Sequence, residues 1–230
     1  MSHRLAVLLS GSGTNLQAII DAIADDRLNA EIGLVLANRS DAFGLERARQ
    51  AGIPTACLSH RDFADRQSFD QAMIDAIDRH QPDTLALAGF MRILSPGFVA
   101  HYAGRLLNIH PSLLPRYPGL DTHKRALDAG DSEHGCSIHF VTDELDGGPL
   151  VAQAGVPVLA NDNPESLSKR VQQREHLLYP LVLGWRADNR LRLTTEGVEL
   201  DGKVLPPTGY QFAWDTAAER RAAARPDSRG

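Results

Sequence analysis

The sequence predicts an α/β fold: an open, mostly parallel sheet flanked by helices, with an antiparallel strand pair in the C-terminal half. In the first half, short runs rich in leucine and β-branched residues alternate with segments of helical spacing, as they do in βαβ units. In the second half, two longer strand-like runs flank an acidic turn that contains a glycine pair. Of the 230 residues, 43% are hydrophobic, which is enough for one sizeable core. We therefore expect residues 1–215 to form a single domain.

The first half supplies the candidate strands and helices of the parallel part of the sheet. Gly52 stands where the cap after the second helix belongs, and Ser95 with Pro96 marks the start of the fourth helix. Units of this kind build an open sheet of Rossmann-like form. The candidate strands are RLAVLLS, EIGLVLANR, PTACLS, DTLALAG and RLLNIH, and the first three candidate helices are residues 15–24, 43–51 and 67–80.

The second half supplies the antiparallel pair and a long helix. HGCSIHFVT and LVAQAGVPV are the candidate strands, and TDELDGGP between them has the composition of a hairpin connection. A short helix is expected near residues 122–129, and VELDGKVL predicts a closing hairpin at its Asp-Gly pair. Residues 216–230 lack apolar periodicity, so we expect a disordered tail. Asn163 and Pro164 begin a helix whose apolar stripe predicts packing on the sheet, and the stripe consists of Leu167, Val171, Leu178 and Val182.

Composition argues against several classes of protein. The net charge of −5 disfavours a nucleic-acid partner, whose phosphates would favour a basic face. The longest apolar stretch, residues 84–94, contains Arg92 and is shorter than the ~18 residues that a membrane span requires. The start, MSHRLAVLLSG, lacks the features of a signal peptide, so we expect a cytoplasmic protein without a membrane partner. Cys57 and Cys136 lie in apolar contexts without metal or redox spacing, which predicts two reduced thiols in the core.

The segment LLSGSGTNLQ connects the first strand to the first helix. Its glycines allow a ligand to approach the backbone, and the amides at a helix N-terminus favour an anion. It lacks the lysine of a P-loop, and Leu16 stands where a dinucleotide fingerprint has its third glycine. Asn38 ends the second strand in place of the acidic residue that holds a ribose in nicotinamide-binding folds. A monophosphate is the ligand that remains, and a tight turn without a ligand is the alternative.

Two polar side chains stand at the end of a candidate buried strand in RLLNIHP. Asn108 and His110 are two residues apart, so they project from the same face while Ile109 points the opposite way. Pro111 then ends the strand. Open α/β sheets bind ligands at the carboxyl ends of their strands, which predicts a site here. A histidine hydrogen-bonded within the core is the alternative.

The acidic turn offers Asp143, Glu144 and Asp146, either as partners for this histidine or as solvated surface carboxylates. A carboxylate beside an imidazole fixes its tautomer and favours its charged form. Asparagine, histidine and aspartate together can stabilise an oxyanion and move a proton without a side-chain nucleophile. The sequence contains no nucleophile elbow, HExxH motif or paired CxxC motif, so we expect no metal.

The segment AGFMRILSP follows the fourth candidate strand and is apolar apart from Arg92. It could line a pocket for a flat heterocycle, with backbone groups that contact the edge of the ring. Packing of the same side chains in the core is the alternative.

GSGTNLQAI, AGFMRILSP, NIHPSLLPRYPG, HGCSIHFVTDELDGGP and residues 172–175 occur in this order along the chain. Together they resemble the folate-dependent phosphoribosylglycinamide formyltransferases, a family of the formyltransferase superfamily, over residues 5–210. The resemblance implies transfer of a formyl group from 10-formyltetrahydrofolate, a co-substrate, to the amine of glycinamide ribonucleotide in purine biosynthesis. It also implies a monomer or homodimer that acts on these small molecules without a metal.

The resemblance assigns roles to individual residues. In the implied mechanism, Asp146 holds His110 charged and oriented, and His110 and Asn108 donate to the formyl oxygen as negative charge develops on it. The implied catalytic trio is Asn108, His110 and Asp146. The implied ribonucleotide contacts are Gly13, Thr14 and Asn15 at the phosphate, with Gln172 and Glu175 on the rest of that substrate. The implied folate contacts are Met91, Arg92, Ile93, Leu94 and Asn108, with Arg66 near the folate tail.

Three other functions would use similar features. A formyltetrahydrofolate hydrolase could use the same trio with water as acceptor, but it has no evident need for the GSGTN loop, and such relatives carry an extra N-terminal regulatory domain. A methionyl-tRNA formyltransferase should have a basic C-terminal domain, whereas this chain has one acidic domain and a short basic tail. A catalytically silent ligand-binding module should lack a member of the trio, and all three residues are present.

Overall fold

The computed structural model describes residues 2–212, so the expected tail at residues 216–230 lies outside the described residues. Its strands are β1 His3–Leu9, β2 Ala30–Ala37, β3 Thr55–Cys57, β4 Thr84–Leu87, β5 Leu106–His110, β6 Glu133–Phe140, β7 Leu150–Pro157, β8 Leu191–Thr194, β9 Gly197–Leu200, β10 Lys203–Val204 and β11 Tyr210–Phe212. Its helices are α1 Thr14–Ala24, α2 Phe43–Gln50, α3 Arg66–Asp78, α4 Pro96–His101, α5 Thr122–Asp128 and α6 Pro164–Ala187.

The predicted fold class is confirmed. Eight strands form one sheet in the order β11-β7-β6-β5-β4-β1-β2-β3, and β8, β9 and β10 form a small antiparallel sheet. Strands β1 to β5 pair in parallel, while β6 is antiparallel to both β5 and β7. The predicted hairpins at TDELDGGP and at the Asp-Gly pair of VELDGKVL are both present.

Helices cover both faces of the large sheet because its strands bury side chains on both sides. Alternate residues of β1 enter different clusters: Val7 packs with α1, α2 and α6, and Leu8 packs with α3 and α4. The predicted stripe of α6 is buried against the first cluster, which confirms that this helix packs on the sheet.

The predicted helix starts are confirmed in atomic detail. The Asn163 side chain accepts from the Ser166 amide, and the Ser166 hydroxyl accepts from the Asn163 amide. Together the two bonds form a capping box. The Ser95 side chain accepts from the Phe98 amide, with Pro96 as the first residue of α4. Gly52 has a φ of 70°, the left-handed conformation expected just after a helix.

Three features differ from the sequence-based expectation. Cys57 is exposed and not in the core, because β3 is only three residues long and lies at the edge of the sheet. Cys136 is buried in β6, as predicted. Strands β8 and β11 were not predicted, and β11 extends the large sheet by pairing in parallel with β7.

Within residues 2–212, no helix is both long and apolar enough to cross a membrane.

Candidate active site

The strand order brings three of the predicted segments to one edge of the sheet. Strands β5, β4 and β1 are neighbours and run in parallel, so their carboxyl ends lie side by side. The NIHPSLLPRYPG segment begins with the last three residues of β5, the AGFMRILSP segment follows β4, and the GSGTN loop lies just after β1. This is the edge at which open α/β sheets bind ligands.

Asn108 and His110 project from the same face of β5, as predicted, while Ile109 enters the core on the opposite face. The Nε2 atom of His110 lies 2.9 Å from the carbonyl oxygen of Tyr117. A carbonyl oxygen only accepts, so Nε2 carries the proton of this bond. The other ring nitrogen, Nδ1, lies 3.5 Å from Asp146 Oδ2. This separation is longer than an ordinary hydrogen bond, which leaves Nδ1 free to exchange a proton with a ligand or water.

The backbone of the acidic turn positions the Asp146 carboxylate beside the His110 ring. Its φ of 52° places it in the left-handed region, and its side chain is 8% exposed. Gly148 permits this turn, because an added Cβ would stand 1.8 Å from the Phe140 carbonyl oxygen. The Gly119 amide donates to Asp146 Oδ2 at 2.8 Å, which ties the turn to the segment that follows β5. Of the three acidic residues of the turn, Asp143 and Glu144 are exposed, and only Asp146 forms an ion pair with His110.

His139 is a site residue that the sequence reasoning missed. It lies opposite Asn108 in the antiparallel register of β5 and β6, and its side chain is 2% exposed. Its Nδ1 lies 3.0 Å from the Phe140 carbonyl oxygen and must donate, so Nε2 accepts from Asn108 Nδ2 at 3.1 Å. Burial lowers the pKa of His139, which favours this neutral tautomer. The bond fixes the Asn108 amide and leaves its second N–H available for a ligand.

The GSGTN loop ends in a left-handed glycine and opens α1. Gly13 caps the helix with a φ of 70°, and Thr14 is its first, half-buried residue. The Asn15 side chain is buried, and its Nδ2 donates to Glu175 Oε2 at 2.8 Å. Asn15 Oδ1 is buried without a hydrogen-bond partner among the described residues.

Glu175 projects from α6 toward the loop after β1, where it accepts from Asn15. Glu175 is buried, and this burial raises the pKa of its carboxyl group, while the bond from Asn15 opposes the shift. Gln172 is half-buried one turn earlier on the helix. Helix α6 thus joins the loop after β1 to the rest of the candidate site.

The AGFMRILSP segment leaves two large apolar side chains open to solvent. Met91 is 68% exposed and Ile93 is 63% exposed, so the core-packing alternative is wrong for both. Leu94 is buried, and Arg92 is half-buried with its guanidinium 5.4 Å from the centre of the Phe69 ring.

The same segment is attached to its neighbours through its backbone. The Met91 amide donates to Ser10 Oγ at 2.8 Å, which links the segment to the residue just before the GSGTN loop. Arg66, the first residue of α3, donates to the Leu94 carbonyl. Arg66 therefore lies beside the segment that holds Met91, Arg92, Ile93 and Leu94. Over residues 2–212, no group of three or more His, Cys, Asp or Glu side chains is placed to hold a metal ion.

Comparison with known proteins identifies the family. Residues 3–183 match the family model described as formyl transferase. The phosphoribosylglycinamide formyltransferase of Escherichia coli K12 is 58% identical over 206 residues, which cover 90% of this chain and 97% of that protein. The enzyme of the same name from Haemophilus influenzae is 47% identical over 90% of this chain and 98% of its own length.

A solved structure agrees with these sequence matches. The phosphoribosylglycinamide formyltransferase of Coxiella burnetii superposes with a TM-score of 0.90 at 51% identity, covering 93% of this chain and 100% of that chain. Both the sequence and the fold are thus shared along nearly the whole length. The chain belongs to the formyl transferase family and, within it, to the phosphoribosylglycinamide formyltransferases.

Proposed function

We propose that this chain transfers the formyl group of 10-formyltetrahydrofolate to the amine of glycinamide ribonucleotide, which yields formylglycinamide ribonucleotide and tetrahydrofolate in purine biosynthesis. The order of β5, β4 and β1 carries the proposal. This order places the exposed apolar segment after β4 between the Asn108, His110 and Asp146 cluster at the end of β5 and the loop after β1, which is suited to a phosphate. A folate ring bound on the segment after β4 would present its formyl group to the cluster at the end of β5. The same ring would lie beside a ribonucleotide whose phosphate is bound at the loop after β1.

The cluster at the end of β5 suits the chemistry of acyl transfer. When the amine attacks the formyl carbon, a C–N bond forms and negative charge develops on the formyl oxygen. The second N–H of Asn108 and the Nδ1–H of a protonated His110 stabilise that oxygen. Asp146 supports the imidazolium through its charge at 3.5 Å.

Collapse of the intermediate breaks the bond between the formyl carbon and the folate nitrogen. The attacking nitrogen loses a proton and the departing folate nitrogen gains one, so the proton count balances. His110 Nδ1, or a water molecule that it contacts, carries this transfer. The step needs neither a side-chain nucleophile nor a metal.

The binding assignments follow the same edge of the sheet. Gly13, Thr14 and Asn15 contact the phosphate through their amides, as oriented amides at a helix N-terminus do. Gln172 and Glu175 contact the rest of the ribonucleotide. Its hydroxyl and amine groups can donate hydrogen bonds, and the buried Glu175 carboxylate can accept them. The folate contacts are Met91, Arg92, Ile93, Leu94 and Asn108, with Arg66 near the tail. We assign residues 1–215 to one formyltransferase domain that acts as a monomer or homodimer.

Hydrolysis of the formyl donor by water is the competing reaction, and it is not favoured because the relatives from Escherichia coli and Haemophilus influenzae bear the name of the transferase. Consumption of 10-formyltetrahydrofolate should be measured with and without glycinamide ribonucleotide, together with the release of formate. We expect rapid consumption only when the ribonucleotide is present, with little formate. Formate release at the same rate in both reactions would establish the hydrolase.

A further inference from the structure

The loop after β1 packs unusually closely against the first turn of α2. A Cβ added to Gly13 would stand 2.6 Å from the Gly44 Cα, a separation that real Cβ atoms essentially never show. A Cβ added to Gly44 would in turn stand 2.5 Å from a methyl carbon of Leu9. Two glycines therefore allow the loop, α2 and β1 to meet at this point.

Two residues of α2, Gly44 and Arg47, hold two successive carbonyls of the loop. The Gly44 amide donates to the Gly11 carbonyl at 3.0 Å. The Arg47 Nε donates to the Ser12 carbonyl at 2.8 Å. Arg47 is itself fixed, because its Nη1 donates to Gln17 Oε1 at 3.1 Å and its guanidinium lies 5.0 Å from the centre of the Phe43 ring.

These two bonds determine where the neighbouring amides point. In a planar trans peptide the carbonyl and the N–H point in opposite directions. The peptide units whose carbonyls face α2 are those of Gly11 and Ser12, so the N–H groups of Ser12 and Gly13 face away from α2. Within residues 2–212, neither N–H donates a hydrogen bond. With the first amides of α1, they form a group of donors that an anion would fill.

We propose that Arg47 is a positioning residue for phosphate recognition: it holds the Ser12 carbonyl outward so that the Gly13 amide faces the substrate phosphate. The proposal rests on the proposed function, since that function places a phosphate at this loop. Arg47 does not touch the substrate in this account. Its effect should therefore depend on whether the substrate carries a phosphate.

The test compares two substrates in variants of α2. Arg47→Gln removes the charge and the Nε donor. Arg47→Lys keeps the charge but replaces the planar guanidinium with a single ammonium, which cannot bond Ser12 and Gln17 in the same geometry. Arg49→Gln is the matched control, because Arg49 is exposed on the same helix and pairs with Glu46. We expect kcat/KM for glycinamide ribonucleotide to fall about tenfold in Arg47→Gln, mostly through KM, with only partial recovery in Arg47→Lys. With the nucleoside that lacks the phosphate, every variant should match the parent.

Two results would overturn the proposal. An equal loss with the nucleoside would mean that Arg47 serves general stability, and an unchanged kcat/KM for the ribonucleotide in Arg47→Gln would mean that the bond to the Ser12 carbonyl does not matter. A second readout does not depend on turnover: inorganic phosphate should shift the amide NMR signals of Ser12 and Gly13 in the parent far more than in Arg47→Gln. Equal shifts would refute the role of Arg47, whereas a parent that shows these shifts but transfers no formyl group would refute the proposed function alone.

Discussion

Replacing Asp146 by asparagine removes the negative charge beside His110 and leaves the shape of the side chain nearly unchanged. The carboxylate is 8% exposed and lies 3.5 Å from His110 Nδ1. At an effective dielectric constant of about 20, two unit charges at this separation interact by roughly 4 to 5 kcal/mol. The amide dipole of asparagine retains part of this, and its oxygen can still accept from the Gly119 amide. We therefore expect kcat to fall by about 10² to 10³, the loss typical of one removed electrostatic contribution at an oxyanion site.

Steady-state kinetics with both substrates should separate this role from a structural one. KM for each substrate should change little, because Asp146 acts mainly as charge develops in the transition state. Asp143→Asn is the matched control, since Asp143 lies in the same turn but is exposed, and it should behave like the parent. If the Asp146→Asn enzyme turned over at the parental rate, Asp146 would be a solvated turn residue and the mechanism would be wrong.

Two further changes test other parts of the site. Asn15→Leu removes the donor to the buried Glu175, so glycinamide ribonucleotide should bind more weakly by ~1 to 3 kcal/mol in calorimetric titration while folate affinity stays unchanged; a selective loss of folate affinity would contradict the assignment. Burial, with His123 nearby, lowers the pKa of His134 from 6.5 to about 4, so the free energy of unfolding should decrease as pH falls from 6.5 to 4 and stay flat above. Urea unfolding across this range should show a smaller decrease in His134→Gln, and an unchanged one would exclude this histidine as the cause.

Local patterns were sufficient for most elements of the fold and for the centre of the site. The face shared by Asn108 and His110 follows from the two-residue period of a strand, and Pro111 marks where the strand ends. The start of α6 follows from the cap at Asn163. Such signals lie within a few residues of each other, so they are readable without a partner in space.

The features that sequence reasoning missed depend on pairing between distant segments. His139 belongs to a strand that was predicted, but its contact with Asn108 requires the register of β5 against β6. That register would have revealed it as a cross-strand partner. The Asn15 side chain donates a hydrogen bond to Glu175, which is 160 residues away along the chain. Strand β11 has only three residues, and β7 supplies the edge on which it forms.

The most direct test of the account is a crystal structure of the chain with glycinamide ribonucleotide and a folate analogue that cannot transfer its formyl group. We predict that the phosphate contacts the amides of Gly13 to Asn15 and the folate ring lies on Met91 to Leu94. The amine should then lie about 3 to 3.5 Å from the carbonyl carbon, within reach of Asn108 and His110. A phosphate bound away from the loop after β1, or an amine turned away from His110, would contradict the account.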